Sequence, residues 1–196
     1  SNTKITFLSM ENISEEGILN LQEERELAEV YNGFTYFREN DVIVAKITPC
    51  FENGKVAICK GLTNGLGFGT TELHVLRAKN IVYAEYIYLV IQSHIFRNMG
   101  TALMKGAAGQ KRVPTEFIQN FTIGIPPMNE QKDIINYVKQ KSDYLFALIN
   151  STKIEIDKLK EYRQSLITAA VTGKIDVRNY NIESDQVEGE EQEEVS

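Results

Sequence analysis

The sequence predicts an α+β fold followed by one long helix, and three observations carry that expectation. Short runs rich in Val and Ile, bounded by Gly, Asn or Pro, crowd the first eighty residues. One stretch with helical spacing of apolar residues follows them. Then, from 129 to 172, neither Pro nor Gly occurs for 44 residues. A chain of 196 residues, 42% hydrophobic, suffices for one domain with a sizeable core plus an appended element. The expected division is a mixed strand and helix domain at 3–127, a long helix at 128–173, and an acidic tail at 174–196.

Taken in order, the strand-like runs are KITFLSM at 4–10, DVIVAKI at 41–47, KVAICK at 55–60 and TELHVLRA at 71–78. Between the second and third, CFENGKV carries Asn53-Gly54, a tight-turn signal because both residue types tolerate positive φ. NGLGFG at 64–69 reads as a flexible turn. AEYIYLVIQSHIFRNMG at 84–100 places Ile87, Val90, Ile91 and Ile95 at helical intervals, with Gly100 as its stop. MKGAAGQKRVP at 104–114 reads as a small-residue loop. In VPTEFIQNFTIGIPP, Thr115 is placed to cap a short turn, and FTIGI is a brief strand closed by Pro126-Pro127.

The long helix carries a heptad seam. Its a positions are Ile135, Ser142, Ile149, Ile156, Arg163 and Ala170; its d positions are Val138, Leu145, Thr152, Leu159 and Leu166. At about 1.5 Å per residue it is roughly 65 Å long. Its apolar stripe of Ile135, Val138, Leu145, Ile149, Ile156, Leu159 and Leu166 cannot stay wet, and no second helix of that length is expected in this chain. The expected partner is therefore a coiled-coil helix of another chain, most simply that of a second copy, with a fold-back of the same helix at Asn150-Ser151 as the alternative.

Charge is unevenly distributed. The net value is -6, yet 183–196 holds seven acidic residues and no basic one, and 11–29 holds seven more against Arg25. Between these blocks, 30–182 carries 19 basic and 13 acidic residues, and the 18 residues from 97 to 114 contain Arg97, Lys105, Lys111 and Arg112 without an acid. The tail is expected to be disordered, having little to bury. No apolar run reaches 18 residues and the opening SNTKITF is polar, so neither a membrane span nor a signal peptide is expected.

Catalytic and metal chemistry find no support. Cys50 and Cys59 lie nine apart, and His74 and His94 are lone residues in apolar surroundings, so zinc-ligand spacing is absent. Cytoplasmic, reduced, structural cysteines are the expectation. Gly65, Gly67 and Gly69 precede a strand-like run and not a helix, which removes the phosphate-binding reading. No catalytic residue, metal ligand or cofactor is assigned.

Six segments together resemble the specificity subunit of type I restriction-modification enzymes: FLSMENI, DVIVAKITPCFENGKVAI, FGTTELHVLRA, MKGAAGQKRVP, IPPMNEQKDII and EYRQSLITAAVTGKIDV, covering about 7–177. The resemblance implies a non-catalytic target recognition domain that reads one part of a bipartite duplex DNA site. It implies a spacer helix that packs antiparallel on its counterpart and docks modification (methyltransferase) subunits, and through them a restriction subunit. Family members commonly carry two such halves, so this chain is expected to be a half-length, homodimeric subunit or the C-terminal half of a longer one. The competing expectation is a coiled-coil adaptor whose basic loop binds a partner other than DNA.

On the DNA reading, Gly106 and Gly109 let a phosphate approach main-chain N–H groups, and Lys105, Lys111 and Arg112 neutralise its charge. Gln110 and Arg112 are placed to reach a base edge. Lys46, Asn53, Lys55, Thr70 and Thr71 are expected to supply the rest of the surface, although turn geometry competes for Asn53 and a structural role for Lys46.

Overall fold

The computed structural model describes residues 3–107 and 109–178. The chain divides into two units, 1–139 and 140–196. Of the tail expected at 174–196, residues 179–196, including the acidic run 183–196, lie outside the described residues.

The first unit is built on two small sheets. One has strand order β2-β1-β6-β3, from Glu24–Glu26, Lys4–Leu8, Leu66–Gly69 and Thr35–Arg38. The other has order β5-β4-β7, from Val56–Ile58, Asp41–Ala45 and Leu73–Arg77. β1 and β6 run parallel, and every other pairing in these sheets is antiparallel. All five residues of β4 are buried, so its alternating side chains feed two cores. Val42 and Val44 join Phe51, Phe96 and Phe117 beneath the helices, while Ile43 joins Leu8, Phe37 and Cys59. A third cluster, Ile5, Phe7, Val30 and Phe68, lies under the short helix α1, Leu27–Val30. Buried Asp41 ties β4 to β7 and β3: its carboxylate takes Arg77 Nε and Nη2 at 2.7 and 2.6 Å and the Arg38 N–H at 2.9 Å.

Several expectations are corrected. The glycine run taken for a turn is strand β6, because Gly67 lies against the Phe37 ring, where a Cβ would collide with it. The stretch 84–100 is two helices, α2 at Ala84–Gln92 and α3 at His94–Ala102. Ser93 turns the backbone extended between them, and its hydroxyl accepts the Phe96 N–H at 3.3 Å as an N-cap. Thr115 caps nothing: Pro114 precedes helix α4, Thr115–Asn120, without a side-chain cap. FTIGI forms no strand; it finds no neighbouring strand, and the Gly124 carbonyl is taken by the Tyr86 hydroxyl at 3.2 Å. Asn53-Gly54 does form a turn, with Gly54 at φ 77°, but inside a ten-residue connection from β4 to β5 and not a two-residue hairpin.

The long helix α5 runs Met128–Val171, within the segment expected at 128–173. Gly173, at φ 73°, ends it, with the Lys174 N–H reaching the Ala169 carbonyl at 2.8 Å. In its first turns the fully buried Gln131 accepts the Tyr83 N–H at 3.0 Å and donates to the carbonyls of Ile81 and Pro126 at 2.9 and 2.8 Å. Along the expected seam Ile135 and Val138 are half-buried, whereas Leu145, Ile149, Ile156, Leu159 and Leu166 are each 41–61% exposed.

Candidate nucleic-acid interface

The small-residue segment is a β-hairpin, not a loop. β8, Lys105–Ala107, pairs antiparallel with β9, Gln110–Arg112, in the register Lys105↔Arg112, Gly106↔Lys111 and Ala107↔Gln110. Both glycines have a conformational reason. Gly106 has φ 144° and faces the Gln110 carbonyl so closely that a Cβ would collide with it; Gly109 has φ 77° with open space beside it. Opposed residues of an antiparallel pair share a face. Lys105, Arg112, Ala107 and Gln110 therefore lie on one side of the ribbon, and Lys111 on the other.

Two attachments hold the hairpin. The segment after β4 runs beside β9: Thr48 N–H donates to the Lys111 carbonyl at 2.9 Å, and Val113 N–H to the Lys46 carbonyl at 2.8 Å. The Thr48 hydroxyl donates to the Gly109 carbonyl at 2.5 Å and accepts the Lys111 N–H at 3.1 Å, bracketing Gln110 at the start of β9. Val113 itself is buried in the helix-side core, and its carbonyl meets His74 Nε2 at 3.1 Å. A carbonyl can only accept, so the neutral imidazole carries its proton on Nε2. Burial pushes the His74 pKa down, as does the nearby Lys46 charge.

The second attachment is an ion pair. Arg112 Nε lies 2.9 and 3.1 Å from the two Glu72 carboxylate oxygens, and Nη2 lies 2.7 Å from one of them. The Arg112 hydrogen bonds hold the Glu72 carboxyl below the usual carboxylate range, and the charges of Arg112 and Lys46 act in the same direction. Thr70 Oγ1 accepts the Glu72 N–H at 3.2 Å, and Thr71 is exposed beside it.

Lys46, Thr70, Thr71 and the hairpin thus gather around Glu72. Asn53 and Lys55 do not join them. Asn53 Nδ2 donates to Glu15 at 2.7 Å, and Lys55 Nζ donates to the Met10 carbonyl at 3.0 Å, which gives both a structural task. Lys105, Gln110 and Lys111 remain exposed. Glu72 and Thr48 are the residues that sequence reasoning missed; no spacing connects Glu72 with Arg112, forty residues on.

An open apolar groove of about 800 Å³ lies beside Lys105, lined by Ile95, Met99, Leu103, Phe117 and Phe121. Among the described residues, no group of three or more His, Cys, Asp or Glu could hold a metal ion, and no helix is long and apolar enough to cross a membrane. Cys50 and Cys59 are free, and burial pushes the Cys59 thiol up to about 12.

Comparison with known proteins gives this geometry a lineage. The family profile described as the type I restriction modification DNA specificity domain matches residues 1–158. The chain belongs to that family. Among members of the specificity family, the chain is 49% identical over 115 residues to the EcoEI specificity subunit of Escherichia coli, covering 58% of this chain and 19% of that protein. It is 45% identical over 140 residues to the EcoAI specificity subunit of the same organism, covering 71% and 24%. The match thus spans about a quarter or less of these curated relatives. The HsdS subunit from Thermoanaerobacter tengcongensis superposes with a TM-score of 0.66 at 20% identity, over 87% of this chain and 43% of that one. A second chain, from a study of complex assembly in the type I R-M system, superposes at 0.67 and 18% identity over 92% and 45%. The expected α+β domain with a long C-terminal helix is the fold these specificity-family structures share.

Proposed function

We propose that the chain is a non-catalytic sequence reader of a type I restriction-modification enzyme, recognising one half of a bipartite duplex target. The hairpin carries this reading. It offers exposed Lys105 and Lys111 for phosphates and exposed Gln110 for a base edge, on a ribbon fastened at Lys111 and Arg112 of β9. Phosphate contacts fix register and carry little sequence information; a bidentate base contact discriminates by about 1–3 kcal/mol. Lys46, Thr70 and Thr71, gathered with the hairpin around Glu72, complete the proposed surface, and the reader is proposed to work in the cytoplasm.

The partners follow from the helix. Leu145, Ile149, Ile156, Leu159 and Leu166 need cover, and the proposed cover is the same helix of a second copy, running antiparallel, with modification subunits docked on the pair and a restriction subunit recruited through them. The test is duplex affinity of the chain assembled with its modification subunits, measured against salt. Phosphate-driven binding weakens steeply as salt rises. Binding that ignores salt, or no duplex binding with the subunits present, sinks the DNA reading in favour of a protein-binding adaptor.

A further inference from the structure

Glu72 is a carboxylate at the centre of the residues proposed to meet DNA, bonded to Arg112, Thr70 and Lys46. Its backbone is fixed on two sides, by Thr70 Oγ1 on its N–H at 3.2 Å and by the Lys46 N–H on its carbonyl at 3.0 Å. Its side chain consumes Arg112. Nε and Nη2 are committed to the carboxylate at 2.7–3.1 Å, and Nη1 turns toward the Gln110 carbonyl at 3.5 Å. A guanidinium paired through two nitrogens with one carboxylate supplies geometry and little free charge. The register adds a reason for the pairing: Lys105 lies directly opposite Arg112, a like-charge pair that would repel across the ribbon unless one member were neutralised.

We propose that Glu72 is a positioning and specificity-determining residue of the reading hairpin, fixing Arg112 as a strut behind Gln110 and withholding that cation from phosphate. The proposal rests on the DNA reading of the hairpin. It separates two tasks that neighbouring cations would otherwise blur. Lys105 and Lys111 supply affinity for any duplex, and Gln110, held at one height above the Glu72–Arg112 pair, supplies the discrimination. An Arg112 released from Glu72 would find a phosphate on any sequence, raising affinity everywhere and selectivity nowhere.

The sign of that effect makes the proposal testable, because a structural residue when lost weakens all binding alike. The chain, assembled with its modification subunits, would be used to enrich a duplex from a library with a randomised core. Affinity for that duplex and for a scrambled one would then be followed against salt. Glu72→Gln is expected to bind the scrambled duplex more tightly, to steepen its salt slope by about one, and to cut the ratio of the two affinities about tenfold. Arg112→Ala is expected to cut the ratio as well but to leave the salt slope unchanged, since the strut makes no phosphate contact. Equal losses on both duplexes in Glu72→Gln would overturn the proposal, as would a slope lower by about one in Arg112→Ala, which would make Arg112 itself a phosphate contact. Should Glu72→Gln fail to fold, Arg112→Ala decides alone. A wild-type assembly without salt-dependent duplex binding would instead bring down the DNA reading on which the proposal stands.

Discussion

Gly106 and Gly109 occupy the same hairpin but differ in what a methyl group would meet. At Gly106 it would meet the Gln110 backbone at φ 144°; at Gly109 it would meet nothing, and only the φ of 77° resists it. Gly109→Ala is therefore expected to cost about 1–2 kcal/mol of hairpin stability, and Gly106→Ala to cost more and to abolish duplex binding. Amide hydrogen exchange across 105–112 would rank them, and equal protection in the two variants would contradict this account. The titration of the hairpin's supports has a definite sign. Burial lowers the His74 pKa below 6.5, and Arg112 lowers that of Glu72 below 4.5, so in each case the unfolded chain takes up the proton first. Stability is whole above these ordinary values. It is expected to fall as pH drops below 6.5 for His74, and further below 4.5 for Glu72. Unfolding free energies measured across this range should show the upper step, and His74→Gln should remove it; an upper step that survives the substitution would assign it elsewhere. None of these residue-scale roles was visible in the sequence, where Gly106 and Gly109 read only as positions open to a phosphate. Glu72 and Arg112 are brought together by β7 and β9, which are far apart along the chain.

Elements were legible where a pattern extends over many residues. The 44 residues without Pro or Gly, closed by Gly173, gave α5 almost to the residue, and the Val-rich run of β4 marked the buried central strand. Local chemistry hid the others. Ser93 sits inside a continuous apolar periodicity, and only its cap geometry divides α2 from α3. β6 was mistaken because its glycines answer to the Phe37 ring and to the Leu8 backbone, neither near in sequence. β2 and β3 are short and largely exposed, with no apolar signal strong enough to announce them. Two substitutions test the joints so revealed. Ser93→Ala should lower stability by about 1 kcal/mol through the lost cap. Gln131→Leu should cost more, since it removes three hydrogen bonds made by a fully buried side chain, to the Tyr83 N–H and the carbonyls of Ile81 and Pro126, at about 0.5–1.5 kcal/mol each. Chemical denaturation would rank the two, and a Gln131→Leu protein as stable as the wild type would refute its anchoring role.

For the whole molecule, the exposed seam and the basic hairpin make one expectation each. Burying a Leu or Ile side chain contributes about 1.5–3 kcal/mol before ordering costs, so five such residues left at 41–61% exposure call for a partner. Antiparallel pairing of two α5 helices separates their first turns by about the helix length, roughly 65 Å, a distance suited to half-sites divided by an uncontacted spacer. Ile149→Asp with Ile156→Asp should yield monomers or aggregates. Light scattering that finds a well-behaved wild-type monomer at micromolar concentration would transfer the seam to a different partner chain. The hairpin's claim is the central one, and its register sets Gln110 and Lys111 on opposite faces. The most direct test compares Gln110→Ala with Lys111→Ala, each assembled with modification subunits, on an enriched duplex and on a scrambled one. The account predicts that Lys111→Ala weakens both duplexes alike and lowers the salt slope by about one, while Gln110→Ala leaves the slope in place and relaxes preference at a single base pair. Equal losses on both duplexes in both variants would contradict it.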